Sequence, residues 1–110
     1  MTEPSQATPG AAPETAGASP AGEGLARARR EIERVDREIV ELLAERVQLA
    51  LQVGREKRDA GLPLLDPARE ASVVRRAGAL ARDAGLPEED VREIFWRVIG
   101  MSRRAQSSAE

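Results

Sequence analysis

Cysteine, histidine and tyrosine are absent from the 110-residue chain, and Phe95 and Trp96 are its only aromatic residues. Without cysteine or histidine there is no disulfide, no thiolate or imidazole metal ligand, and no nucleophile of the Cys–His or Ser–His type. Two adjacent aromatic residues do not supply the stacking platforms that bind single-stranded nucleic acid. Any chemistry must therefore use arginine, lysine, carboxylates, amides or hydroxyls.

Residues 1–24 contain no Leu, Ile, Val, Phe, Lys or Arg and are rich in Pro, Ala, Gly, Ser and Thr. Such a segment buries too little apolar surface to offset the entropy lost on ordering, so we predict a disordered tail followed by one domain, residues 25–110. The segment lacks the basic start and apolar run of a signal peptide, and no later segment is apolar enough to span a membrane. A cytoplasmic location is therefore expected.

The charges of the domain are balanced and interleaved. The chain has 17 Lys and Arg residues and 19 Asp and Glu residues, and three of the acids (Glu3, Glu14 and Glu23) lie in the tail. The remaining residues are close to neutral, which is not the footprint of a nucleic-acid or anionic-lipid surface. We expect neither as a partner.

Start and stop signals divide the domain into three helices and leave no strand. The first helix is predicted from about Leu25 to Asp59, before a Gly-Leu-Pro stop. The second begins at Asp66-Pro67, an N-cap acid with proline in the first turn, and ends at Gly85-Leu86-Pro87. The third begins at Pro87 and continues to about Gln106. Helical spacing gives the two shorter helices apolar stripes: Val73, Val74, Ala77, Leu80 and Ala81, and Val91, Ile94, Phe95, Val98 and Ile99.

The first helix carries a long 3-4 repeat of apolar residues with one exception. The repeat runs through Leu25, Ala28, Ile32, Val35, Ile39, Leu42, Arg46, Leu49 and Val53. About 33 residues make a rod of roughly 50 Å, too long for two shorter helices to cover. The repeat predicts a partner helix, most simply the same helix of a second copy. A coiled-coil dimer without another function is one reading of this pattern.

Arg46 occupies a position of the repeat where a leucine is expected, and a buried guanidinium is costly unless it is paired. Lys57, eleven residues later, projects from nearly the same face and is the only lysine among the 17 basic residues. Setting the register, or reaching to the surface, would also explain Arg46. If two copies pair antiparallel, however, Arg29 of one copy lies opposite residues near 56 of the other. Three cations then line one pocket suited to a dianion.

These residues resemble a known family, the all-helical AroQ-class chorismate mutases, over about residues 25–106 without a gap. Any single element is weak, but together their spacings are specific. The elements are Arg29 with Asp36, Ala44-Glu45-Arg46, Val53-Gly54-Arg55-Glu56-Lys57, Asp66-Pro67-Ala68-Arg69-Glu70, and Ser102 with Gln106. The departures from the family pattern are the Ala/Pro-rich tail and Pro67.

The resemblance implies an all-α fold with one long and two shorter helices per protomer, intertwined in a homodimer with two equivalent sites. Each site would take Arg29 from one copy and its other residues from the second. Arg29 and Arg46 would bind the two carboxylates of chorismate. Lys57 and Gln106 would donate hydrogen bonds to its ether oxygen, and Lys57 would also lie near a carboxylate.

The remaining implied contacts concern the ring hydroxyl and the edges of the site. Glu70, with the neighbourhood of Asp66, would hold the hydroxyl, while Arg69 and Ser102 would support the substrate or adjacent groups. The implied reaction, chorismate to prephenate, breaks a C–O bond as a C–C bond forms. It needs no nucleophile, metal or cofactor, which agrees with a chain that has no cysteine or histidine.

Three alternatives remain open. An isochorismate-pyruvate lyase shares the fold and much of the cationic site, although Glu70 after Arg69 favours the mutase. A non-catalytic, regulatory helical dimer is the second. The third is a mutase that docks on another enzyme of the shikimate pathway, such as the synthase that opens it. For single residues, Ser102 is equally explained by helix packing, Glu70 by its place near a helix start and Arg69 by a surface ion pair.

Overall fold

The computed structural model describes residues 20–109, and all regular structure in that range is α-helical. Helix α1 spans Pro20–Asp59, α2 spans Pro67–Asp83 and α3 spans Glu88–Ser108. The prediction of an all-α chain with one long and two shorter helices is confirmed. None of these helices is long and apolar enough to cross a membrane.

Helix α1 begins at Pro20, before the expected start near Leu25. Proline fits the first turn of a helix because the N–H it lacks has no partner there, and Glu23 in the same turn suits the helix dipole. The last residues of the predicted tail, 20–24, are therefore helical. Residues 1–19 of that tail lie outside the described residues.

Both interhelical turns are closed by glycines that follow a helix end. Gly61 and Gly85 have φ values of 72° and 76°, in the left-handed region where other residues are strained. In the first turn, Leu62 N–H donates to the Lys57 carbonyl at 2.8 Å and Gly61 N–H donates to the Arg58 carbonyl at 3.1 Å. This is a Schellman motif, and it ends α1 as the Gly-Leu-Pro signal predicts.

By its internal contacts the chain divides into two units, Met1–Glu41 and Leu42–Glu110. The described part of the first unit is the beginning of α1, where large apolar side chains are exposed: Leu25 53%, Ile32 60%, Val35 41% and Ile39 49%. In the second unit α2 packs against α3, and Val73, Val74 and Ile99 form the core together with Phe95. Leu80 and Ile94, which helical spacing assigns to the core stripes, are more than half exposed.

Candidate active site

A pocket of about 310 Å³ lies in the second unit, between the C-terminal part of α1 and helices α2 and α3. Its volume is at the lower end of the range for small-molecule sites, about 300–1,000 Å³. Its apolar lining includes Leu49, Val53, Val73 and Ile99. The polar and charged lining residues are Arg46, Lys57, Asp66, Arg69, Glu70, Ser102, Arg103 and Gln106. The sequence singles out eight site residues, and all of them except Arg29 line this one pocket.

Arg46 is half-buried in this pocket and is held by a single side chain. Its Nη1 donates to the hydroxyl of Ser102 at 3.0 Å, and Ser102 is 6% exposed. Among residues 20–109 no carboxylate forms an ion pair with Arg46. The arginine is therefore neither a surface side chain nor one half of a buried ion pair.

The electrostatic surroundings of Arg46 are unfavourable for a cation. Burial lowers its pKa below the usual arginine value, and repulsion from Arg76 and Arg69 lowers that pKa further. An arginine still stays protonated at neutral pH. Because the charge is partly desolvated and surrounded by other cations, an anion bound beside Arg46 would be strongly favoured.

Lys57 lies in the last turn of α1 and is half-buried. Its Nζ donates to the backbone carbonyl of Leu64, in the loop before α2, at 3.1 Å. An ammonium has three N–H donors, so this bond orients the side chain and leaves donors for a ligand. Within the described part of the chain, Lys57 forms no ion pair.

Gln106 reaches the same pocket from α3. Its Nε2 donates to the carbonyl of Ala50 on α1 at 2.7 Å. The amide nitrogen carries a second N–H donor, and its orientation is fixed by the first bond. Gln106 can thus present a neutral donor to a ligand beside the positively charged donors of Lys57 and Arg46.

Glu70 is bound by a residue that the sequence did not single out. Arg103 on α3 donates to both oxygens of Glu70 on α2, from Nη2 at 2.9 Å and from Nε at 3.2 Å. This contact raises the pKa of Arg103. The two residues are 33 positions apart, so no local sequence pattern marks the pair.

Asp66 and Arg69 lie at the start of α2, where both line the pocket. A side-chain oxygen of Asp66 accepts a hydrogen bond from the Arg69 backbone N–H at 3.1 Å, which caps the helix as the sequence predicts. The Arg69 guanidinium has no ion-pair partner in residues 20–109. A surface ion pair within these residues therefore does not explain Arg69.

Arg29 differs from the other predicted residues. It lies in the first unit, where its side chain is exposed, and it is not among the residues that line the pocket. That a second copy supplies Arg29 stays a prediction.

The charge balance of the lining favours an anionic ligand. Four side chains are cationic (Arg46, Lys57, Arg69 and Arg103), whereas two are acidic (Asp66 and Glu70). No group of His, Cys, Asp or Glu residues in the described range could hold a metal ion. The arrangement can bind a small anion with several acceptors and surround it with donors that are already oriented.

Comparison with known proteins identifies the family of this chain. Residues 28–107 match the family model described as chorismate mutase type II. Two structures of chorismate mutase from Thermus thermophilus are similar to this chain. Form II has a TM-score of 0.69 and 32% identity, and the match covers 76% of this chain and 93% of that one. Form I has a TM-score of 0.66 and 35% identity, with 71% and 96% covered.

A curated relative matches over a shorter range. The 3-dehydroquinate dehydratase of Pyrobaculum aerophilum is 40% identical over 65 residues, which is 59% of this chain. The chain spans only 18% of that relative's length. The match therefore concerns a small part of a much longer protein.

Proposed function

Because the chain belongs to the type II chorismate mutase family, we propose that it converts chorismate to prephenate in the pocket of its second unit. The observation that carries this proposal is Arg46, a half-buried cation held by Ser102 and without a carboxylate partner in residues 20–109. Chorismate is a dianion, and one of its carboxylates would supply the missing partner. The reaction belongs to phenylalanine and tyrosine biosynthesis, and a cytoplasmic location stays a prediction.

The chemistry asks little of the side chains beyond position and charge. The ether C–O bond breaks as the new C–C bond forms, so electrons move within the substrate and no proton or group is transferred. The protein has to hold the flexible substrate in its chair-like conformer. It also has to stabilise the negative charge that grows on the ether oxygen, which donors oriented in advance do well in a site sheltered from water.

Each donor of the pocket has a proposed part in this task. Arg46 binds a carboxylate, and Ser102 keeps its guanidinium in place. Lys57 and Gln106 donate to the ether oxygen. Their hydrogen bonds to the carbonyls of Leu64 and Ala50 orient the two side chains before the substrate binds. The charge of Lys57 contributes most where negative charge develops.

The substrate also carries a ring hydroxyl. We assign the hydroxyl to Glu70, the carboxylate of the pocket that an arginine holds on both oxygens. Asp66 caps α2 and so positions the start of that helix, while Arg69 adds positive charge to the pocket.

A second copy of the chain would complete the site. The apolar residues of α1 that have no cover within the described protomer, such as Ile32, Leu42 and Leu49, are 60%, 63% and 53% exposed. Exposing such a row is unfavourable in water, whereas pairing with the α1 helix of another copy would bury it. In this homodimer, Arg29 of the second copy supplies the cation for the other carboxylate.

Nothing of the dehydratase activity named for the Pyrobaculum protein is assigned to this chain, because the match covers 18% of that protein. Docking on another enzyme of the shikimate pathway stays a prediction. No described surface identifies that enzyme.

The proposed function is tested by offering chorismate and isochorismate separately to the purified protein and identifying the products. We expect prephenate from chorismate, and loss of this activity in Arg46→Ala. Pyruvate and salicylate from isochorismate alone would identify a lyase instead. Turnover of neither substrate would contradict both assignments and favour the non-catalytic helical dimer.

A further inference from the structure

Arg103 is the one cation among the lining residues of the pocket that forms an ion pair. Its Nη2 and Nε donate to the two oxygens of Glu70, at 2.9 and 3.2 Å, from the neighbouring helix. Arg46, Lys57 and Arg69, by contrast, have no ion-pair partner in the part of the chain that the structure describes. The pocket therefore contains an ion pair between Arg103 and Glu70, which we call the clamp, and three cations without an anionic partner in the described residues.

The clamp is only partly shielded from solvent. The side chain of Arg103 is 48% exposed, and that of Glu70 is 19% exposed. Water and salt screen an ion pair of this kind, and ordering two long side chains costs entropy. Because Arg103 and Glu70 both line the pocket, the pair also acts on what binds there.

Its first effect is on charge. The proposed substrate is a dianion, and a free carboxylate at Glu70 would repel it. Because the guanidinium of Arg103 contacts both oxygens, the pair is close to neutral. The positive charges of Arg46, Lys57 and Arg69, which outnumber the single remaining negative charge of Asp66, then act on the substrate.

Its second effect is on geometry. A glutamate has three rotatable side-chain bonds, and the bidentate contact restricts them. Each carboxylate oxygen has two acceptor positions, so Glu70 can accept from Arg103 and still accept from a substrate hydroxyl. Glu70 is thereby oriented before the substrate arrives.

We propose that Arg103 is a positioning residue: it holds Glu70 as an oriented, charge-balanced acceptor for the ring hydroxyl of the substrate. This inference rests on the proposed function. Arg103 itself touches neither the ether oxygen nor a substrate carboxylate in this assignment, so its loss weakens substrate binding more than it slows the bond rearrangement.

The test compares Arg103→Gln with the matched control Arg104→Gln. Arg104 is the next residue of α3 and does not line the pocket, and its substitution removes the same charge. We expect Arg103→Gln to raise KM for chorismate about tenfold, with kcat reduced less than about threefold. Arg104→Gln should change both by less than about twofold. Arg103→Lys keeps the charge but cannot contact both carboxylate oxygens as a guanidinium does. Its KM should therefore lie between those of the wild type and Arg103→Gln.

A double-mutant cycle separates the clamp from a general effect of charge. In a Glu70→Gln background, Arg103→Gln should change KM by less than about twofold, because there is no longer a carboxylate to hold. An equal change in both backgrounds would overturn the inference, and so would a fall in kcat at unchanged KM. A wild-type protein that does not convert chorismate would overturn the proposed function and the inference with it. An active wild type with no effect of Arg103→Gln would overturn the inference alone.

Discussion

Lys57→Ala is expected to lower kcat for chorismate by about 10³-fold or more, and kcat/KM by a similar factor. The ammonium of Lys57 faces the pocket from the end of α1, where the Leu64 carbonyl holds it at 3.1 Å. Its charge interacts weakly with a neutral ether oxygen and strongly with one that is becoming negative. The interaction is therefore made mainly in the transition state.

The measurement is steady-state kinetics, with thermal unfolding to verify that the variant folds. Arg55→Ala is the matched control, because Arg55 is an exposed cation of the same helix outside the pocket. It should leave both constants within about twofold of the wild type. A rise in KM with kcat unchanged for Lys57→Ala would mean that Lys57 binds ground state and transition state equally.

Gln106→Glu is expected to lose about 10²-fold or more of the activity at neutral pH and to regain part of it in acid. A deprotonated carboxylate has no hydrogen to donate, and its charge repels the negative ether oxygen. Glutamate is ordinarily half protonated near pH 4.3, so the donor returns below about pH 5. Recovery is partial because one O–H replaces two N–H donors, one of which the amide uses to bind Ala50.

Rates measured from about pH 4 to 8, with the wild type at each pH, show this dependence directly. Gln106→Ala serves as the comparison, since it has no group to protonate and should not recover in acid. If Gln106→Glu keeps full activity at neutral pH, Gln106 does not contact the ether oxygen.

The helices were predictable because their limits depend on local contacts. Asp66 caps α2 through a neighbour three residues away, and Gly61 and Gly85 close their turns through bonds within a few residues. Such contacts leave their signature in consecutive residues. Helix α1 begins at Pro20 and not at the predicted Leu25. The composition of the tail gives no sharp boundary, and proline is compatible with the first turn of a helix.

The tertiary contacts were predictable only in part. Helical spacing placed Arg46 on an apolar face, but it did not predict the hydrogen bond from Arg46 to Ser102, which lies 56 positions away. The Arg103–Glu70 clamp likewise depends on how α2 meets α3. Spacing also assigned Leu80 and Ile94 to the core, yet both are more than half exposed. A stripe identifies the apolar face of a helix without saying how much of it one neighbouring helix covers.

Arg29 is the one predicted site residue that does not line the pocket. Its exposed position on α1 is compatible with a solvated surface residue and with a residue that completes the pocket of a second copy. The two possibilities predict different activities for dimers that combine an Arg29 variant with an Arg46 variant. An experiment on mixed subunits therefore separates them.

The central claim is that two copies of this chain build each active site, with Arg29 from one and Arg46 from the other. The most direct test is to prepare Arg29→Ala and Arg46→Ala separately, exchange their subunits by refolding them together, and assay prephenate formation. Each variant alone should be nearly inactive. Random pairing makes half of the dimers mixed, and each mixed dimer has one intact site, so the mixture should recover about a quarter of wild-type activity. A mixture no more active than its components, or an Arg29→Ala variant with full activity, would contradict the account.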